Sequence, residues 1–146
     1  MASSTNQTSA QLSEKIRTLK IIHLAILGGV ILLYVLIGDI SMEILHIPPF
    51  DTPSMVFFTL PFLALALGNL LFHQQIKKAD QKLSPNDNFG VYQTGSIIRW
   101  AILELAAFVI LLLAPEHLIF GLFTILMLAL LRPTKARVEA ALQYLD

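Results

Sequence analysis

Four long apolar runs organise the chain: residues 21–37, 55–72, 102–114 with a weaker lead-in from Gly95, and 118–131. An α-helix rises about 1.5 Å per residue, so roughly 17 to 20 apolar residues cross a hydrocarbon core about 30 Å thick. The fourth run is short and reaches that length only by recruiting Pro115, Glu116 and His117 at its outer end, with local thinning or tilt taking up the difference. The pattern predicts an all-α integral membrane bundle of four transmembrane helices, at about 21–37, 55–72, 95–114 and 115–131.

The polar segments between the runs carry their own signals. Residues 1–11 are mostly Ser, Thr, Asn and Gln with no apolar period, which predicts a disordered tail. Leu12, Ile16 and Leu19 then recur at helical spacing beside Lys15, Arg17 and Lys20, as in an amphipathic lead-in at a headgroup surface. Ile47-Pro48-Pro49-Phe50 cannot continue a helix, and Thr52 before Pro53 reads as the start of the second span. Pro61 predicts a kink in that span, which then extends as a polar helix through 73–82. Residues 83–88 read as a turn, and Phe89, Tyr92 and Trp100 as interfacial anchors of the third span. Ala114-Pro115-Glu116 makes a tight turn into the fourth. After Pro133, the segment 133–146 is an amphipathic helix with Val138, Ala141, Leu142 and Leu145 on one face.

Charge adds a direction. All ten Lys and Arg residues precede the first run, lie between the second run and the third (Arg99 within its lead-in), or follow the fourth. The other two connections hold Asp39, Glu43, Asp51 and Glu116 instead. Under the positive-inside rule both termini are cytoplasmic, and the expected location is a bacterial inner membrane. About twenty mostly polar residues precede the first run and no small-residue cleavage pattern follows it, so no cleaved signal peptide is expected. With 55% apolar and 14% charged residues, the chain has too little polar surface for a soluble domain of this size. Its net charge of zero gives no electrostatic preference for nucleic acid, and the absence of Cys removes disulfide, thiol and thiolate-metal chemistry.

Glu104 is the one carboxylate inside a predicted span. An ionised carboxylate in hydrocarbon costs about 2.5 kcal/mol or more, so Glu104 should face protein or water, or hold its proton. Asn69 is a similar distance from the cytoplasmic boundary, which suggests a Glu104–Asn69 hydrogen bond between helices. Arg99, five residues before Glu104, is expected to reach the inner headgroups. Glu104, Asn69 and Arg99 are thus the candidates for a helix-fastening or ion-handling site. Gly28 and Gly29 in the first span, and Ala64 and Gly68 in the second, are candidate helix-packing positions. Among the four histidines, His46 and His117 could meet Glu43, Asp51 or Glu116 on the outer face. Their spacing reads as ordinary interfacial residues, so neither a metal nor a cofactor is expected. No hydrolase, phosphate-binding or metalloprotease motif occurs, and neither Ser41 nor Ser54 has a base near it in sequence. A non-enzymatic protein is the expectation.

The stretch Thr94-Gly95-Ser96-Ile97-Ile98-Arg99-Trp100-Ala101-Ile102-Leu103-Glu104, with the ending Leu131-Arg132-Pro133-Thr134-Lys135, resembles small bacterial four-helix membrane proteins of uncharacterised function. It also looks like the second helix of the c-subunit hairpin of rotary ATP synthases, with Glu104 at the position of the ion-binding carboxylate. That resemblance implies ion exchange at Glu104. The chain departs from the c pattern in its longer loop, in Arg99 and in two additional helices. The expected function is a small accessory or structural membrane component in contact with the bilayer, as a homo-oligomer or within a larger complex. The alternative is an oligomeric proton or cation carrier using Glu104.

Overall fold

The computed structural model describes residues 2–38 and 52–143 of the chain. Its helices are α1 (Ala2–Ile37), α2 (Thr52–Ile76), α3 (Phe89–Leu113), α4 (Leu118–Leu130) and α5 (Lys135–Gln143), with a 3-10 turn at Pro115–His117. No strand occurs among the described residues.

Each outer helix buries one stripe. On α1 it is Leu12, Ile16, Leu19, His23, Val30 and Tyr34, in steps of three, four or seven that stack on one helical face. On α2 it is Pro61, Ala64, Gly68, Phe72 and Ile76. The helix runs through Pro61 without interruption. α3 buries the widest face of the spanning helices because α1, α2 and α4 all pack on it. Much of the remaining surface along the spans is apolar: Leu24, Leu36, Leu63, Leu105 and Leu112 are all at least 60% exposed. So much apolar surface suits lipid and not water.

Three helices are long and apolar enough to cross a membrane: Ser9–Ile37, Ser54–Ile76 and Phe89–Leu113. A fourth span arises only if Pro115–Leu130 and Lys135–Leu142, bent by 80°, count as one. The 3-10 turn and α4 together measure about 25 Å at about 2.0 Å and 1.5 Å per residue, against a core of about 30 Å. Pro133 interrupts the chain after α4. Arg137 Nη1 then donates to the carbonyls of Leu130 (2.7 Å) and Arg132 (3.1 Å) and covers acceptors that the helix end leaves free. Val138 and Leu142 turn into the bundle; Leu145 lies outside the described residues.

The element bounds differ from the sequence expectation in three places. α1 is helical from Ala2, where a disordered tail was expected. α2 stops at Ile76 instead of continuing to Lys82, because Asn88 organises a compact turn: its side chain accepts from Asp80 N and donates to the Asp80 carbonyl. α3 begins at Phe89, and Phe89, Tyr92 and Trp100 are buried at 3%, 2% and 0% exposure instead of anchoring at a lipid interface. Lys15 Nζ donates to the Asn86 carbonyl at 2.9 Å, which ties the start of α1 to the α2–α3 connection. The basic clusters around residues 15–20 and 77–82 therefore share one end of the bundle.

Candidate functional site

The α2–α3 contact is built from two reciprocal pairs. α3 presents Gly95 and Arg99 one turn apart, and α2 presents Gly68 and Phe72 one turn apart. A Cβ added at Gly68 would sit 3.1 Å from Arg99 Cγ, and one at Gly95 would sit 3.0 Å from the Phe72 ring. Each glycine thus seats the large side chain of the other helix. The Arg99 guanidinium consequently lies 4.2 Å from the Phe72 ring centroid, where the ring face attracts a cation, and Nη1 donates to Asn69 Oδ1 at 3.3 Å. Arg99 is 9% exposed. It is held inside the bundle, against Phe72 and Asn69.

The same register separates Asn69 from Glu104. Gly68 lies against Arg99 and Phe72 against Gly95, so the antiparallel pairing places Glu104 level with Leu63. That is six residues, about 9 Å, from the level of Asn69. The expected Glu104–Asn69 bond is therefore absent, and Asn69 serves Arg99 instead. Glu104 is half-buried and has no hydrogen bond or ion pair among the described residues.

Two further polar groups join helices. His23 Nε2 donates to the Leu128 carbonyl at 2.9 Å, and its ring meets Trp100 edge-on at 4.7 Å. Tyr34 donates to the Ala107 carbonyl at 2.6 Å, and its ring ends in the space that Gly121 leaves open. Neither contact is visible in sequence, because the partners are backbone carbonyls far along the chain. Among the predicted packing positions, Ala64 is buried and Gly68 meets Arg99, whereas Gly28 and Gly29 are exposed, with nothing within 4 Å of a Cβ added there.

At the opposite end from Lys15, Ser54 and His117 come together. The Ser54 hydroxyl and His117 Nε2 share a 2.9 Å hydrogen bond, and both residues are buried. His117 Nδ1 is 3.2 Å from Glu116 Oε1, near enough for charge contact but off the line of an N–H···O bond. The imidazole lies between the rings of Phe57 (5.1 Å) and Phe120 (6.0 Å). The sequence shows no base near Ser54. The structure supplies one across the bundle from the 3-10 turn. His46, Glu43 and Asp51 lie outside the described residues, among which no His, Asp and Glu group could hold a metal ion.

Comparison with known proteins gives no matching family model, no matching curated protein and no matching solved structure.

Proposed function

We propose that this chain is a small accessory component of a bacterial inner membrane, with four spans, the short α4 among them, and both termini in the cytoplasm. The observation that carries the reading is how the polar side chains inside the apolar layer are used. Arg99 bonds Asn69, His23 bonds Leu128 and Tyr34 bonds Ala107, each between two different helices. Groups spent in this way fasten a bundle and, among the described residues, form no chain of polar groups across it. Glu104, unpartnered on the flank of α3, is the group left over for a second copy or another membrane protein.

A second reading has its own observation. A half-buried carboxylate without a partner is also what an exchanging ion site requires, so an oligomeric proton or cation carrier using Glu104 is the alternative. Proteoliposome flux separates the two. Under the accessory reading, Glu104→Gln leaves ion permeability at the level of protein-free vesicles, as in the native chain. Native flux that Glu104→Gln abolishes, with the helical content retained, replaces it with the carrier. Reporter fusions at Asn86 and Glu116 test the orientation: Asn86 reports cytoplasmic and Glu116 external.

A further inference from the structure

We propose that Arg99, His73 and Lys77 bind the phosphate of an anionic phospholipid on the α2–α3 seam, at the end of the bundle that carries the α2–α3 connection. Under the membrane reading above, on which this site rests, that end faces the inner leaflet. The site starts from a charge without a counter-ion. Arg99 is 9% exposed, and among the described residues no carboxylate pairs with it. Glu104 does not serve: it stands one turn beyond Trp100, which meets His23 of α1, whereas Arg99 faces α2. An unpaired buried cation is costly, so an anion brought from outside the chain is stabilising there. The guanidinium also has donors to spare, since Nε, Nη1 and Nη2 all carry N–H groups. Nη1 donates to Asn69 Oδ1 at 3.3 Å, and Nε is enclosed without a partner. Nη2 has no bond among the described residues and is not enclosed, so it reaches the surface of the seam.

Two further basic groups line up with it. Asn69, His73 and Lys77 follow one another along α2 at intervals of one turn. Lys77 N still donates to the His73 carbonyl at 3.1 Å, which keeps Lys77 in the helical row. His73 Nδ1 donates to the Asn69 carbonyl at 2.7 Å, so Arg99 and His73 hold the same residue by different atoms. The Arg99 guanidinium and the His73 ring both lie against Phe72, at 4.2 and 5.7 Å from its centre. With Nδ1 bonded in this way, the protonated ring of His73 donates outward from Nε2. His73 and Lys77 are exposed.

Depth fixes the class of ligand. The Arg99 guanidinium rests on Phe72, one turn before Ile76, the last residue of α2. It therefore lies about 6 Å from the end of the helix, where phosphates and glycerols meet the acyl chains. Leu63, Leu67 and Leu70 are exposed on α2 just beyond it, and Lys77 falls on the face of Leu63 and Leu70 at seven-residue steps. A phosphate at Arg99 and Lys77 thus continues into a leucine stripe that acyl chains cover. A lipid uses both halves of this surface, and a soluble phosphate only one. Lys78 adds a further positive charge beside the row, which disfavours the ammonium of a zwitterionic headgroup.

The test is native mass spectrometry of the delipidated full chain in detergent, titrated with phosphatidylglycerol and, separately, with phosphatidylcholine of the same acyl chains. The expected result is one phosphatidylglycerol held more tightly than phosphatidylcholine. Its affinity should fall about tenfold or more in Arg99→Gln and about fivefold in Lys77→Gln. Lys82→Gln removes the same charge at the same end but off the row, and it should leave the affinity unchanged. Equal weakening by Lys77→Gln and Lys82→Gln marks a diffuse basic surface and overturns the proposal, as does equal affinity for the two lipids. Displacement of the lipid by inorganic phosphate, but not by chloride at equal ionic strength, assigns a soluble phosphate and also overturns it. Should Arg99→Gln not fold, the comparison of Lys77→Gln with Lys82→Gln decides, because both side chains are exposed. The titration is independent of orientation: a reporter fusion at Asn86 on the outside overturns the topology, and the binding result still decides the site.

Discussion

Arg99 lies 4.2 Å from the centre of the Phe72 ring, and each of the two side chains rests on a glycine of the other's helix. This pairing sets the register of α2 against α3. Through the register it decides which polar groups meet inside the apolar layer.

Replacing Gly68 tests the register directly. Ala at 68 asks Arg99 Cγ to move by a few tenths of an ångström, and the flexible arginine stem can do so. Its expected cost is within about 1 kcal/mol, with helix propensity offsetting the crowding. Gly68→Leu should cost about 1–3 kcal/mol or more by overpacking the α2–α3 contact. Gly28→Leu, with nothing within 4 Å, should stay within about 0.5 kcal/mol for the isolated bundle. Thermal unfolding of the three variants in one detergent ranks them.

Asn69 gives the buried Arg99 its side-chain acceptor. Asn69→Leu should therefore destabilise by about 1.5–3 kcal/mol, the range for hydrogen bonds to charged groups. Adding Arg99→Met removes the charge that was left uncompensated and should recover much of the loss. A double-mutant cycle that shows the two changes to be additive would count against the contact.

The ring of Tyr34 occupies the space beside Gly121, and a Cβ there would overlap its hydroxyl. Gly121→Ala should push Tyr34 off the Ala107 carbonyl and lower the unfolding midpoint by the equivalent of about 1–3 kcal/mol. In a Tyr34→Ala background the same change should be nearly silent. An equal loss in both backgrounds would place the strain elsewhere.

His23 touches the single tryptophan of the chain, so Trp100 fluorescence reports on it. His23→Phe keeps the ring and loses the bond to Leu128, whose carbonyl still accepts from Leu131 N; the expected cost is about 0.5–1.5 kcal/mol. His23→Ala also opens space beside Trp100, and it should cost more and shift the emission. Identical emission in the native chain and His23→Ala would argue that the rings do not meet.

What sequence reveals here is what can be read along one dimension. The length and apolarity of each run mark the helices, and the side on which Lys and Arg fall marks the expected orientation, because both follow from the cost of placing single residues in hydrocarbon. The small residue at Gly68 and the acid at Glu104 also stand out against an apolar background. The short fourth run is visible too, and α4 remains the helix that does not reach a full span unaided.

Tertiary structure decides the pairings. Composition gives Asn69 and Glu104 similar distances from the membrane edge, yet they lie about 9 Å apart in level. The reason is that helix register follows from matching volumes on two faces, here Gly68 with Arg99 and Gly95 with Phe72, and no pattern along a single helix carries that information. Ser54 and His117, 63 positions apart, meet for the same reason. Sequence determines that this chain is built of long apolar helices with charge at one end. Packing alone determines that Arg99 is buried, that Glu104 has no partner among the described residues and that Ser54 is provided with an imidazole.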